Sequence, residues 1–384
     1  MKKIFLFLIL LLCLFLIACG GGGGSDNPSG GGNGGNGGGN GGGNSAPAHP
    51  WLCFTALTAG SSISTTNQGG TVTNTPSLEY SYDGKNWEPF TLNTGYDATN
   101  TRVPLANAGD KVYLRATGTN DSFSESGKYI KFKMEGSIAA SGNIMSLLDK
   151  DCRTLSVPDN AFQYLFYNNT TLTTAPLLPA TTLSYCCYAE MFNGCSSLTT
   201  APLLPATTLS YCCYAEMFNG CSSLTTAPDL PATTLADYCY FHMFKDCSSL
   251  TAVPTELPAI NLATRCYEGM FKDCSAMATA PVLPATTLAE ACYISMFYGC
   301  SALTTAPDLP ATTLANSCYA FMFLDCSSLS SITVNFDSWD DAYTADWVNG
   351  VPNYIGTFTC PAGLTTDYGE NRIPIEWSVQ HLTP

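Results

Sequence analysis

Through the middle of the chain, apolar residues come in adjacent pairs four apart: Cys187-Tyr188, Met191-Phe192 and then Cys195, repeated at Cys213-Tyr214, Met217-Phe218 and Cys221. At the helical step these five positions fall within an arc of about 140°. Ala189, Glu190 and Asn193 lie opposite, and their counterparts change from copy to copy. The pattern predicts a helix with one face in a core and the other in water, ended by glycine or aspartate. Ahead of it, LTTAPxLP reads as a brief strand stopped by two prolines, because proline cannot sit within a central ladder. PATTL then offers threonine N-caps.

This unit recurs. Phe192, Phe218, Phe244, Phe271, Phe297 and Phe323 are spaced 26, 26, 27, 26 and 26 residues apart, and a worn copy surrounds Phe166. Residues 173–198 and 199–224 are identical. The extra residue of the long copy is expected in a loop within 254–262, where PxLPATTL becomes PTELPAINL. A unit this short buries too little to offset its ordering entropy, so each coil should require a neighbour. Strands stack at about 4.8 Å and helices at 8 to 10 Å, so strand-helix coils should fan into an arc with strands inside.

Residues 51–144 differ in kind. LEYSYDGKNWEPF places Asp83-Gly84 between alternating runs, a hairpin signal. KVYLRAT and KYIKFKMEG read as further strands, and a small β-sandwich is expected. Residues 145–331 hold the repeats, and 332–384 a C-terminal cap.

The consensus SLTTAPxLPATTLxxxCYxxMFxxC is similar to the leucine-rich repeats of bacterial surface proteins, the BspA-like group and the related 26-residue surface repeat, over residues 155–329. The ending WVNGVPNYIGTFTCPAGLTTDYGENRIPIEWSV resembles the closing segment of such proteins. The fold expected is therefore α+β: a leucine-rich-repeat-like solenoid of about seven 26-residue strand-helix coils after a small all-β sandwich domain. The resemblance implies surface display, with adhesion to host or matrix proteins in some members, and it brings no catalytic residues.

The leader fits that compartment. Two lysines and an apolar run too short to span a bilayer precede LIAC, which resembles a lipoprotein signal over residues 1–18. Cleavage after Ala18 and acylation of Cys19 are implied; the alternative is an ordinary signal peptide. Residues 19–50 are a glycine-rich tether with almost nothing to bury, spanning about 30 Å rms. The localisation expected is the cell surface or outer membrane, held by a lipid anchor. A net charge of −15 makes nucleic acid and anionic lipid poor partners.

The sequence holds 19 cysteines, a usage that points to disulfides in an exported chain. Six copies carry both members of a pair, namely Cys187/Cys195, Cys213/Cys221, Cys239/Cys247, Cys266/Cys274, Cys292/Cys300 and Cys318/Cys326, and the worn copy has lost both, holding Ala161 and Asn169. Joint loss suggests an in-coil bridge. Unbroken helix would hold the two Cα atoms about 12 Å apart, beyond the roughly 7 Å limit, so a bridge requires the helix to start late or turn back. The alternative is a ladder of buried free thiols. Cys186 and Cys212, extra cysteines of the duplicated copies, have no role in this reading, and Cys53, Cys152 and Cys360 are likewise unassigned. No metal or cofactor is expected: the pairs are eight residues apart rather than three, and His49, His242 and His381 do not recur. No nucleophile or metalloprotease motif occurs, so an enzyme is not expected.

The function expected is protein binding or adhesion to a host or neighbouring-cell surface; a glycan-binding module and a plain spacer are the alternatives. Phe241, Ile294, Tyr298, Phe321 and Leu324 occupy outward positions where the first copies have small or polar residues, and these five are the candidate ligand-binding residues. Burial of that patch against the tryptophans of the cap is the competing arrangement. A second candidate surface is the polar array of Ser197, Thr199, Ser223 and Thr225.

Overall fold

The computed structural model describes residues 50–93, 102–125, 127–352 and 356–383. The leader, Cys19, the tether and His49 lie outside the described residues.

The repeats contain no helix. Among the described residues the helical elements are one 3-10 turn, Ile144–Leu147, and one α-helical turn, Asp341–Thr344 (α1), both outside the repeated coils. The expected strand-helix solenoid is therefore wrong, and the backbone shows why. In the first good copy Cys186, Glu190 and Gly194 all have positive φ, at 48°, 54° and 75°. The same four-residue beat recurs at Tyr238, His242 and Asp246, and at Ser317, Phe321 and Asp325. An α-helix admits no such residues; a chain of β-turns with a left-handed third residue requires them. Accordingly Cys187 N donates to Ser184 O, Met191 N to Tyr188 O and Cys195 N to Phe192 O within the coil.

The intervening amides point to the next coil. Cys186, Tyr188, Glu190, Phe192 and Gly194 donate to the carbonyls of Tyr211, Cys213, Ala215, Met217 and Asn219, at 2.8–3.0 Å. Half the donors of this segment are thus satisfied only by a neighbour, which is why a lone coil cannot persist. Side chains follow the same step. The phenylalanine column from Phe166 to Phe323 is stacked with ring centres 5.2–5.9 Å apart. The tyrosine column from Tyr188 to Tyr319 is stacked at 5.6–6.2 Å. This side packs nearer to strand spacing than to helix spacing, which removes the reason for the expected fan.

The opposite side is looser. Between the good copies its pairing consists of isolated bridges such as Thr226↔Ala252 and Thr287↔Thr313. The change in offset from Thr226↔Ala252 to Thr234↔Asn261 places the extra residue of the long copy between Ala252 and Asn261.

Upstream, nine strands form two sheets: β1 (Leu52–Ala56), β2 (Ser61–Gln68), β3 (Leu78–Ser81), β4 (Glu88–Phe90), β5 (Val103–Leu105), β6 (Lys111–Ala116), β7 (Ser124–Glu125), β8 (Lys128–Glu135) and β9 (Ile138–Ser141). One sheet has the order β9-β1-β6-β3-β4 and the other β5-β2-β8-β7. Their inner faces meet at Phe54 and Phe132, in edge contact at 5.2 Å. No gap separates this body from the coils. After β10 (Ser156–Val157), strand β11 (Leu172–Thr174) of the worn copy joins β9 in parallel. Phe132 stacks on Phe166 at 5.4 Å and its N–H donates to Leu165 O, so β8 serves as the platform for the first rung.

At the other end, residues 342–349 accept the last rung. Ser317, Tyr319, Phe321, Phe323 and Asp325 donate to Ala342, Tyr343, Ala345, Trp347 and Asn349. Beyond the short β12 (Thr182–Leu183), a parallel sheet of β13 (Ser331–Thr333), β14 (Thr357–Cys360) and β15 (Ser378–His381) closes the array. Trp347 lies over Phe323 and is fully buried, so the cap covers the core columns.

Candidate binding surface

Because every coil repeats the same turns, outward residues line up in rows along the array. One row reads Asn193, Asn219, Lys245, Lys272, Tyr298, Leu324, and the row beside it Glu190, Glu216, His242, Gly269, Ser295, Phe321. The surface therefore changes character along its length. At its start Asn193 Nδ2 reaches both Glu190 and Glu216, at 3.3 and 3.4 Å. In the middle lie the two lysines, and at the end the apolar groups.

There the stacking brings three of the five candidate residues together. Tyr298, Phe321 and Leu324 line an open hollow of about 320 Å³ with Lys272 and Ser295. Lys272 Nζ stands 4.2 Å from the centre of the Tyr298 ring, a cation–π contact that leaves a charge on the apolar rim. Phe321 is 36% exposed, and its backbone holds φ at +58°. The tryptophans of the cap do not cover this patch: Trp347 and Trp377 are buried in the core, and Trp339 packs on Phe336 and Phe358. Ile294 is half-buried in the row beyond Phe321's and does not line the hollow. Phe241 lies apart, packed on a small outer cluster of Cys186, Ala189, Ala215 and Cys212.

On the looser side Thr199 and Thr225 are exposed while Ser197 and Ser223 are half-buried. Thr199 Oγ1 donates to Thr173 O at 3.4 Å, and Thr251 Oγ1 to Thr225 O at the same distance. These hydroxyls are partly spent on their neighbours.

Both cysteines of each good copy are free thiols. The second has its own partner in the preceding coil: Cys195 Sγ donates to Phe166 O at 3.1 Å, Cys221 to Phe192 O at 3.2 Å, and so on to Cys326 and Phe297 O at 3.1 Å. Asn169 fills this place in the worn copy, donating from Nδ2 to Phe132 O at 2.8 Å and accepting from Met134 N. The position selects a buried donor, which explains how a cysteine and an asparagine can alternate there. The first cysteines are buried, and burial pushes the thiols from Cys187 to Cys318 up.

Few groups have the electrostatics of an activated centre. Cys360 Sγ lies 4.0 Å from His381 Nδ1, but burial raises that thiol, the reverse of what a nucleophile needs. His242 is held down to about 4, first by burial and then by Lys245 and Lys272. Asp83 in the predicted hairpin accepts from the amides of Asn86 and Lys85 and from Ser81 Oγ, which lowers its pKa and leaves the carboxylate engaged in its own turn. Among the described residues no three potential ligands cluster as a metal site, and no helix is long and apolar enough to cross a membrane. No protein-family model matches the chain, and no curated protein matches it.

Proposed function

We propose that this chain is a surface-displayed binding scaffold, exported and held by a lipid on Cys19, whose stacked coils capture an extracellular protein. The observation that supports this most is Phe321. A large ring in the left-handed region costs backbone strain, and leaving it in water forgoes the gain of burial. At the same turn position the other good copies have Glu190, Glu216, His242, Gly269 and Ser295. Fold stability gives no reason for phenylalanine here, whereas a partner that covers Phe321, Tyr298 and Leu324 does. The hollow is open and shallow, suited to an inserted side chain at the centre of a protein interface rather than to an enclosed small molecule.

The test is the double substitution Tyr298→Ser with Phe321→Ser, assayed by melting temperature and by capture of purified extracellular-matrix and cell-surface proteins. Lost capture at an unchanged or higher melting temperature is the result expected. Capture retained with a melting temperature several degrees lower would make these residues packing and remove the hollow as the site.

A further inference from the structure

The duplicated coils carry one pair of cysteines that the core columns do not absorb. Cys186 and Cys212 hold equivalent positions in the two identical copies, both with positive φ, and Cys186 N donates to Tyr211 O at 3.0 Å. Their side chains share one small outer cluster, packed with Ala189, Ala215 and Phe241. The rings on either side show the step between the two coils: Tyr185 and Tyr211 stack at 5.4 Å with planes 5° apart, and Tyr188 and Tyr214 stack at 5.8 Å. Two equivalent residues carried by coils stacked at such a step are expected to have Cα atoms within the roughly 4.4–6.8 Å that a disulfide spans.

The other cysteines lack this combination. First-column thiols such as Cys187 and Cys213 are fully buried, and second-column thiols such as Cys195 and Cys221 are committed to a carbonyl. Cys186 and Cys212 sit instead in the outer cluster with Ala189, Ala215 and Phe241, beside the exposed rings of Tyr185 and Tyr211. Cys212 is half-buried and Cys186 is buried but keeps 8% exposure, so the pair lies nearer to an oxidant than the fully buried columns do.

We propose that Cys186 and Cys212 form an inter-coil disulfide that clasps the two identical copies. The reaction is thiol–disulfide exchange with an oxidant of the disulfide class. The Cys186 thiolate attacks one sulfur of the oxidant and expels the other as a thiolate. The Cys212 thiolate then attacks the Cys186 sulfur and releases the second oxidant thiol. Two S–H bonds are lost, one S–S bond forms, and two protons and two electrons pass to the oxidant. Cys186 is suited to the first step because the neighbouring Cys212 thiol lowers its pKa, while Cys186 and burial raise that of Cys212.

The test incubates the folded full chain with oxidised glutathione, then alkylates it in denaturant without reduction. Cleavage after Glu190 and Glu216 separates the two cysteines into different peptides. The expected result is a disulfide-linked pair of these peptides, with Cys186 and Cys212 unalkylated until reductant is added. In Cys186→Ser the link should vanish and Cys212 should alkylate, while Cys187→Ser should retain it. Complete alkylation of Cys186 and Cys212 in the oxidised wild-type chain overturns the proposal without relying on any variant, as does a link that survives Cys186→Ser.

Discussion

The two sides of each coil are built from the same number of repeats and lie against one core, yet they are held by different means. On the cysteine–tyrosine side, five amides per coil reach the next coil and the rings stack in register. On the threonine side, prolines such as Pro176 and Pro179 remove donors, and isolated bridges remain. The coil hangs from its turn ladder, and the other side is free to vary. Leu177, Leu203, Asp229, Glu256, Val282 and Asp308 share one position there, and the one inserted residue is accommodated on that side.

The largest test of this contrast is a proline on each side. Glu216→Pro removes the donor to Phe241 O and demands a negative φ where the backbone has +52°, so it should cost well over 3 kcal/mol. Thr225→Pro removes one long bond to Thr199 O, at 3.4 Å, and should cost about 1 kcal/mol. Urea midpoints decide; equal losses would erase the distinction. A gentler pair compares donors. Cys221→Ala loses a buried sulfur and its bond to Phe192 O, for about 1–2 kcal/mol, with Cys221→Ser restoring part of it. Thr251→Ala on the exposed side should stay within about 0.5 kcal/mol.

The smallest effect is titratable. His242 sits at the central left-handed position of its turn ladder, over Gly269, where an added Cβ would fall 2.2 Å from its ring. Its folded pKa of about 4 lies below its usual 6.5, so the unfolded chain takes up a proton first. The contribution is complete above pH 6.5 and lost as pH falls toward 4. His242→Asn, which tolerates the left-handed backbone, should flatten melting temperature against pH across that window. A slope unchanged by the substitution would assign the acid sensitivity to other groups.

Much of this was legible in the sequence. The 26-residue step, the loop with the extra residue and the Asp83-Gly84 hairpin between β3 and β4 follow from pattern and turn chemistry. The turn ladder did not, because paired apolar residues every four positions fit a helix that drifts only about 40° per four residues. Over the nine residues from Cys187 to Cys195 the two geometries bury the same five repeated positions and differ at Ala189, which the turn ladder buries in an outer cluster. The distinguishing signal was the recurrence of glycine or aspartate at one turn position, Gly194, Gly220, Asp246, Asp273, Gly299 and Asp325, which reads as a helix stop when it is one beat of a repeated left-handed residue. The grouping of Tyr298, Leu324 and Phe321 was within reach of the period alone. Phe241 was misgrouped because the rows were not separated, and Cys186 with Cys212 looked like copying residue because their facing one another requires the stacked turns.

Identical coils in a directional ladder make length itself a heritable variable. Unequal crossing-over between the coding segments for residues 173–198 and 199–224 would delete or add a whole unit. Every remaining coil would still offer its amides to a matching set of carbonyls, as Phe192 now does to Met217 and Phe218 to Met243. Each gain would lengthen the array by one step, 5.6 Å between the rings of Phe192 and Phe218, while the hollow at the far end kept its composition. Such a gene can tune reach by recombination and leave its recognition surface to point mutation.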